Sequence, residues 1–218
     1  MTDSGKPPSP RGAAVGRRIG IGLMYGLWQP RVLGAWRVPA GGPVILAVNH
    51  SHGIDGPMLM GTAPRPVHFL IKKEAFVGPL DPFLRGIGQL KVDRQSADRK
   101  AITDALGVLA AGGVLGIFPE GTRGEGDFAS LRAGLAYFAV RSGAPVVPVA
   151  VLGSTDRPSR LNPALPRLRG RIDVVFGDAF DAGDGSGRRT RKALDEATVR
   201  IQERLTAHLA QARRLTGR

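Results

Sequence analysis

The chain has 218 residues, 42% of them hydrophobic and 22% charged, a composition typical of a folded domain. It has no cysteine, which excludes disulfides, thiolate catalysis and cysteine-ligated metal centres. The 31 lysines and arginines outnumber the 18 acidic residues and give a formal net charge of +13, which favours an anionic partner such as a membrane surface or a phosphorylated substrate. Aromatic residues make up only 6% of the chain and no nucleic-acid-binding motif occurs, so we expect no nucleic-acid partner.

The N-terminal region divides into a tail and an apolar segment. Residues 1–12 are rich in proline, serine and glycine, so we expect a disordered tail. Residues 13–40 should be helical, and their apolar run at 19–28 is ten residues long, against about 20 needed to cross a bilayer. Arginines precede this run and no prompt cleavage site follows it, so we expect no signal peptide. We predict an interfacial helix on a membrane, with a helix packed on the core as the alternative.

Strands and helices alternate through the middle of the chain. Short apolar runs bounded by glycine and proline predict buried strands, and apolar residues at a spacing of three and four predict helices. The predicted strands are 44–48, 67–71, 114–118, 146–152 and 171–176, and the predicted helices are 97–111 and 131–141. This alternation predicts an α/β fold with a single domain over residues 41–180, built on a largely parallel or mixed sheet flanked by helices.

The last part of the chain, residues 181–218, is predicted to form a basic amphipathic helix. Its apolar residues Leu194, Ile201, Leu205 and Leu209 fall on one face, which can pack on the domain or contact lipid. A further basic stretch lies between Asp156 and Asp173 and contains no acidic residue. Its five arginines are at positions 157, 160, 167, 169 and 171.

The loop after the strand at 44–48 reads NHSHGIDG and allows two interpretations. His50, His52 and Asp55 could be zinc ligands, although the spacing departs from the H-x-H-x-D-H pattern of binuclear hydrolases. Alternatively, His50 is a general base that Asp55 orients, because a carboxylate fixes the imidazole tautomer and stabilises its cation. We favour the second interpretation. With no cysteine and no G-x-S-x-G motif, the nucleophile would come from the substrate.

The loop after the strand at 114–118 reads PEGTR and has the groups that a phosphate site needs. Gly121 allows close backbone approach, Thr122 supplies a hydroxyl and Arg123 can hold phosphate oxygens through two parallel hydrogen bonds. Alone, this motif is weak evidence for a phosphate site. The two loops together carry more information, because the carboxyl ends of strands in such sheets form one site.

Taken together, the two loops resemble the glycerolipid acyltransferase family, which includes the 1-acylglycerol-3-phosphate acyltransferases. The family motif N-H-x-x-x-x-D is matched by Asn49, His50 and Asp55, and the motif F-P-E-G-T-R is matched without change at 118–123. The stretches around Lys72 and Arg94 and the segment 134–153 are also similar, so the resemblance covers residues 43–153. One departure is His52, where many relatives have serine.

The resemblance implies an acyltransferase domain over 41–180, with His50 and Asp55 as the catalytic pair and no metal. It implies that an acyl group passes from coenzyme A or an acyl carrier protein, as co-substrate, to the free hydroxyl of a lysophospholipid, by default 1-acylglycerol-3-phosphate. No resident cofactor is expected. The implied substrate-binding residues are Lys72, Arg94, Glu120, Gly121, Thr122 and Arg123. A thioesterase with the same pair and a zinc metallohydrolase remain the alternatives.

Charge and substrate together predict where the protein acts. The acceptor lies in a membrane and both substrates are anionic, so a strongly basic protein with an apolar N-terminal segment should bind an anionic leaflet. We therefore expect peripheral attachment to the cytoplasmic face of the cell membrane.

Overall fold

A seven-stranded mixed sheet runs through the part of the chain that the computed structural model describes, namely residues 8–94, 98–121, 125–129, 131–156, 158–159, 162, 165–183 and 190–218. The strands are β1 (Gln29–Leu33), β2 (Val44–Val48), β3 (Val67–Lys72), β4 (Leu90–Val92), β5 (Val114–Ile117), β6 (Val146–Leu152) and β7 (Arg171–Phe176). Their order across the sheet is β1-β7-β6-β2-β5-β3-β4, and β6 and β7 pair antiparallel while the other neighbours pair parallel. The fold is therefore α/β, as predicted.

Helices cover both faces of the sheet. They are α1 (Pro10–Leu27), α2 (Asp55–Thr62), α3 (Leu80–Gly86), α4 (Arg99–Ala110), α5 (Gly134–Ser142) and α6 (Arg191–Thr216), with 3₁₀ turns at Ala35–Arg37 and Lys73–Ala75. Alternate residues of β2 face opposite sides, so Leu46 packs with α1 and α2 whereas Ile45 packs with α4, α5 and α6. This two-sided burial explains why the central strands read as continuous apolar runs.

The N-terminal region differs from the prediction in two respects. The helix begins at Pro10, where the Ser9 hydroxyl accepts a hydrogen bond from the Gly12 amide, so residues 10–12 are helical rather than a disordered tail. Residues 1–7 lie outside the described part of the chain. Residues 13–40 are not wholly helical, because α1 ends at Leu27 and β1 joins the sheet beside β7. The cause is a tertiary contact, since Arg31 of β1 is bound to Asp173 of β7 at 2.6 Å.

Helix α1 carries two stripes at a spacing of four residues, one buried and one exposed. The buried stripe is Gly16, Gly20 and Met24, and the exposed stripe is Val15, Ile19, Leu23 and Leu27. Gly20 packs against Gly61 of α2 so closely that a Cβ added at Gly61 would lie 2.6 Å from the Gly20 carbonyl oxygen. The helix is thus docked on the domain while its apolar stripe faces outward.

Helix α6 buries one face on the domain, including three of the four residues predicted for it, Ile201, Leu205 and Leu209. This helix is the longest of the described elements, yet its composition is too polar for a membrane span. Within the described residues, no helix combines the length and the hydropathy that crossing a bilayer requires.

Candidate active site

The two motif loops meet at one edge of the sheet because β2 and β5 are parallel neighbours. The loop that follows β2 carries His50, and the loop that follows β5 carries Glu120 and Gly121. Carboxyl ends of adjacent parallel strands form the usual site position in α/β folds. This edge of the sheet holds a cluster of polar side chains beside a large apolar cavity.

His50 and Asp55 are brought together as the spacing predicted. Nδ1 of His50 lies 3.5 Å from Oδ2 of Asp55, and the Asp55 side chain is fully buried. The same oxygen accepts hydrogen bonds from the amides of Ser51 (2.9 Å) and His52 (2.6 Å), so the carboxylate also fixes the shape of the loop. Because Nδ1 faces Asp55, Nε2 is the ring nitrogen available to a substrate.

A stack of aromatic rings supports the His50 imidazole. The ring centroid of Phe118, the first residue of the second motif, lies 4.2 Å from that of His50, and the Phe69 ring lies 5.7 Å further along. Gly116 makes room for this stack, because a Cβ there would lie 2.4 Å from the Phe69 ring. Phe118 of the F-P-E-G-T-R motif therefore helps to hold the His50 imidazole beside the Asp55 carboxylate.

Glu120 is directed at the protein backbone. Its Oε1 accepts a hydrogen bond from the Phe128 amide at 3.3 Å, and its carboxylate also interacts with the backbone of His50. Burial raises the pKa of Glu120 above its usual range, and these backbone hydrogen bonds oppose the increase. The geometry gives Glu120 a part in holding the His50 loop, which the sequence did not indicate. Its predicted contact with substrate stays a prediction.

Arg94 reaches the second motif loop from the end of β4, where it donates a hydrogen bond to the carbonyl oxygen of Gly121. Burial lowers the pKa of Arg94, and the positive charge of Arg132 lowers it further. Gly121 has φ +75°, and a Cβ there would lie 2.2 Å from Arg132 Nε. The structure thus brings Arg132 to the site, a residue that sequence reasoning missed and that stands nine positions after Arg123 without a motif of its own. Thr122 and Arg123 lie outside the described residues.

The predicted Lys72 and its neighbour Lys73 have different surroundings. Lys72 is exposed and lines the large cavity next to the site. Lys73 instead forms an ion pair with Asp93 at 2.7 Å, which raises the pKa of Lys73. Of the two, Lys72 is therefore the one positioned to meet a ligand.

A cavity of about 670 Å³ adjoins His50. Its walls are mainly apolar side chains of α1, α2, α3 and β3, including Ile19, Leu23 and Phe83. Among its lining residues, the ionisable side chains are His50, Lys72 and Arg94. An apolar volume with basic groups close to a histidine suits a ligand that has a long hydrocarbon part and an anionic head. The contribution of α1 to this cavity was not evident from the sequence.

His52 points its ring at the loop backbone, because Nδ1 accepts a hydrogen bond from the Ile54 amide at 3.2 Å. In the described part of the chain, no group of three or more histidine, aspartate or glutamate side chains is arranged to hold a metal ion. His52 therefore shapes the loop beside the His50–Asp55 pair.

The part of the chain that carries both motif loops matches a known family of acyltransferases. A family model described as Acyltransferase matches residues 29–152, and the chain belongs to this family. The match begins at β1 and ends with β6, so it includes both motif loops.

Individual relatives agree with the family assignment. The chain is 27% identical over 170 residues to the 1-acyl-sn-glycerol-3-phosphate acyltransferase of Bacillus subtilis (strain 168), covering 77% of this chain and 82% of that protein. It is 29% identical over 129 residues to the enzyme of the same name from Borreliella burgdorferi, covering 57% and 52% of the two chains. The crystal structure of the 1-acyl-sn-glycerophosphate (LPA) acyltransferase from Thermotoga maritima shares the fold, with a TM-score of 0.68, 22% identity and coverage of 91% of this chain and 79% of that one.

Proposed function

We propose that the protein transfers a fatty acyl group from a thioester to the free hydroxyl of 1-acyl-sn-glycerol-3-phosphate, giving phosphatidic acid. The observation that carries this proposal is the His50–Asp55 pair at the mouth of a cavity of about 670 Å³ with mainly apolar walls. The names of the relatives from B. subtilis and B. burgdorferi support the choice of acceptor.

The chemistry follows from the position of Nε2. His50 takes the proton of the acceptor hydroxyl as its oxygen attacks the thioester carbonyl carbon, and Asp55 stabilises the imidazolium that forms. Collapse of the tetrahedral intermediate breaks the carbon–sulfur bond, and the imidazolium gives its proton to the departing thiolate. The acyl group ends on the acceptor oxygen and the proton on the thiol. His50 returns to its neutral form, and no covalent acyl-enzyme is formed.

Arg94 is the described residue best placed to bind the acceptor phosphate. It lines the large cavity with His50 and also a smaller one of about 210 Å³ with Gly121 and Arg132, so it lies between the two spaces. A guanidinium forms strong hydrogen bonds to phosphate oxygens. Thr122 and Arg123 complete the proposed acceptor site by their place in the motif, and Lys72 adds positive charge at the cavity wall.

The donor is an acyl thioester of coenzyme A or of an acyl carrier protein, and both are substrates rather than resident cofactors. We place the protein on the cytoplasmic face of the cell membrane as a peripheral protein. The exposed stripe Val15, Ile19, Leu23 and Leu27 supports this, because it flanks the cavity and belongs to a chain with net charge +13.

The test is an assay with purified protein, a labelled long-chain acyl-CoA or acyl carrier protein, and a panel of lysolipids. We expect diacylated product from 1-acyl-sn-glycerol-3-phosphate. The His50→Ala variant should lose ~10²–10⁴-fold in kcat, the usual share of general-base catalysis. His52→Ala is the matched control and should keep most of the activity. Fatty acid as the only product would indicate a thioesterase, and activity lost to a chelator would indicate a zinc hydrolase.

A further inference from the structure

A second cavity, of about 720 Å³, opens where β6 ends and β7 begins, and we call it the arginine pocket. Its basic lining residues are Arg167, Arg169, Arg171 and Arg218. Among the described lining residues, the acidic side chain is Asp156, which forms an ion pair with Arg218. Positive charge is therefore in excess, and a concave basic surface of this kind concentrates anions.

The carboxylate of Asp173 holds two of the arginines of the arginine pocket, Arg171 and Arg218, in position. It is fully buried, and it binds Nε of Arg31 at 2.6 Å and Nε of Arg218 at 2.9 Å, with Nε of Arg171 at 3.4 Å. Three guanidinium groups thus share one carboxylate. The arrangement orients the arginines while leaving a net positive charge at the pocket.

The other two arginines stand on a turn that the backbone anchors. The Arg169 amide donates to the Leu27 carbonyl at 2.8 Å, and the Gly170 carbonyl accepts from the Gln29 amide at 3.0 Å. Arg169 has φ +60°, an unfavourable conformation for a residue with a side chain, yet it is retained here. Arg167 and Arg169 are exposed, and neither forms an ion pair with another described residue, so both charges are open to a ligand.

The arginine pocket lies on the same edge of the sheet as His50. Strand β6 separates β2 from β7, and because β7 runs antiparallel to β6 its first residue, Arg171, is at the edge where β2 ends. Two strand spacings correspond to roughly 10 Å across the sheet. A ligand whose reactive group is at His50 can therefore place a distant anionic end in the arginine pocket.

From these observations we infer that the arginine pocket binds the nucleotide end of an acyl-coenzyme A donor, through its 3′-phosphate and diphosphate. This inference rests on the proposed acyl transfer and adds the location of the donor. In acyl-coenzyme A the thioester is at one end of the pantetheine arm and the phosphates are at the other. This separation matches that between His50 and the arginine pocket. Arginine binds phosphate oxygens in pairs of parallel hydrogen bonds. A concave pocket also suits a compact ligand better than a flat membrane.

The test is calorimetric titration of the full-length protein with adenosine 3′,5′-bisphosphate, which needs no turnover. Replacing Arg167 and Arg169 by glutamine removes two charges and keeps a side chain at the φ +60° position. The matched control replaces Arg141 and Arg191 by glutamine, because both are exposed and lie toward the opposite edge of the sheet. We expect the first variant to bind at least about tenfold more weakly and the control to bind like the unmodified protein. KM for acyl-CoA should rise in parallel, with kcat unchanged.

Equal binding by both variants, or no binding by the unmodified protein, would overturn the inference. If the Arg167 and Arg169 changes weakened binding to anionic phospholipid vesicles but not to the nucleotide, the pocket would serve the membrane and the inference would again be wrong. Arginine-dependent nucleotide binding in a protein that acylates no lysolipid would support the pocket and refute the proposed acceptor. The two failures are therefore distinguishable.

Discussion

The side chain of Asn49 exchanges two hydrogen bonds with the backbone of Val151: Nδ2 donates to the carbonyl at 3.0 Å and Oδ1 accepts from the amide at 2.7 Å. Asn49 is buried, and its partner lies on the neighbouring strand β6. The side chain of the residue before His50 thus extends the hydrogen bonding between β2 and β6 by one residue. This explains why the motif begins with an amide, which is both donor and acceptor.

Asn49→Ala should destabilise the fold and displace His50. It leaves the buried amide and carbonyl of Val151 unpaired, at a cost of about 1–3 kcal/mol for each group. We expect the free energy of unfolding, measured by chemical denaturation, to fall by about 2–4 kcal/mol, with a loss of kcat. Gln202→Ala is the control, because that amide bonds the carbonyls of Phe128 and Ala129 at a more exposed position. A similar loss in both variants would contradict the special role of Asn49.

Asp55→Asn should separate catalysis from folding. The asparagine oxygen can still accept the amides of Ser51 and His52, so the loop should keep its shape. An amide cannot stabilise the His50 imidazolium as a carboxylate does, and kcat should fall by roughly 10²–10⁴-fold with little change in thermal stability. Stopped product formation with an unchanged melting temperature would confirm this. A variant that retained full activity would show that Asp55 serves the loop alone.

The contact between α1 and α2 predicts opposite effects for two glycine-to-alanine changes. Gly61→Ala places a methyl group 2.6 Å from the Gly20 carbonyl oxygen and should destabilise the protein by about 1–3 kcal/mol. Gly22→Ala, in the exposed part of α1, meets nothing within 4 Å and should stabilise it by about 0.4–1 kcal/mol. Denaturation curves of the two variants measure both. Equal shifts would mean that α1 is not docked on α2.

Two buried histidines should make the protein less stable in acid. Burial lowers the pKa of His68 and His208, while their hydrogen bonds to the carbonyls of Gly88 and Val175 oppose the change. Between the folded pKa and the unfolded value of about 6.5, the unfolded chain binds more protons, so the free energy of unfolding falls as the pH drops through this range.

The slope for each histidine can reach about 1.4 kcal/mol per pH unit and levels off below the folded pKa. Replacing His68 by asparagine and His208 by glutamine keeps a donor for each carbonyl but removes the titration. Unfolding measured at several pH values from 8 to 5 should give a shallower slope for this double variant, whatever its absolute stability. An unchanged slope would exclude these two residues as its cause.

The exposed stripe of α1 predicts which residues hold the protein on a membrane. Val15→Glu with Leu27→Glu places charges on that stripe, outside the cavity wall. We expect at least about tenfold weaker sedimentation with anionic vesicles, since each apolar side chain removed from water contributes about 1.5–3 kcal/mol. The matched control is Val199→Glu with Leu215→Glu on α6, where exposure is 56% and 57%. Release of unmodified protein by high salt alone would show that charge, not insertion, dominates.

The strands that the sequence predicted best are those with a continuous apolar run and a clear stop at each end. β2 and β6 have the predicted bounds, because burial on both faces leaves little choice of residue, and β7 has them although it contains Arg171 and Asp173. β1 was missed, since QPRVL contains a proline and no alternation. Its place in the sheet depends on Asp173, far along the chain, which local pattern cannot reveal.

In the candidate site, too, contacts within one loop could be predicted from the sequence, whereas contacts between separate loops could not. His50 and Asp55 are close in sequence, so their contact could be anticipated from one loop. The interaction of Glu120 with the backbone of Phe128 and His50 and the approach of Arg132 to Gly121 depend on how separate loops fold over one another. Motifs identify which residues matter, but the partners of those residues come from the packing.

The pairing of β1 with β7 also bears on the order in which the protein can form. Arg31 and Asp173 are 142 residues apart, so β1 cannot pair with β7 until the chain has been synthesised beyond Asp173. Helix α1 precedes β1 and carries the exposed apolar stripe, so it is made before β1 and β7. A nascent chain therefore exposes the apolar stripe of α1 well before β1 can pair with β7.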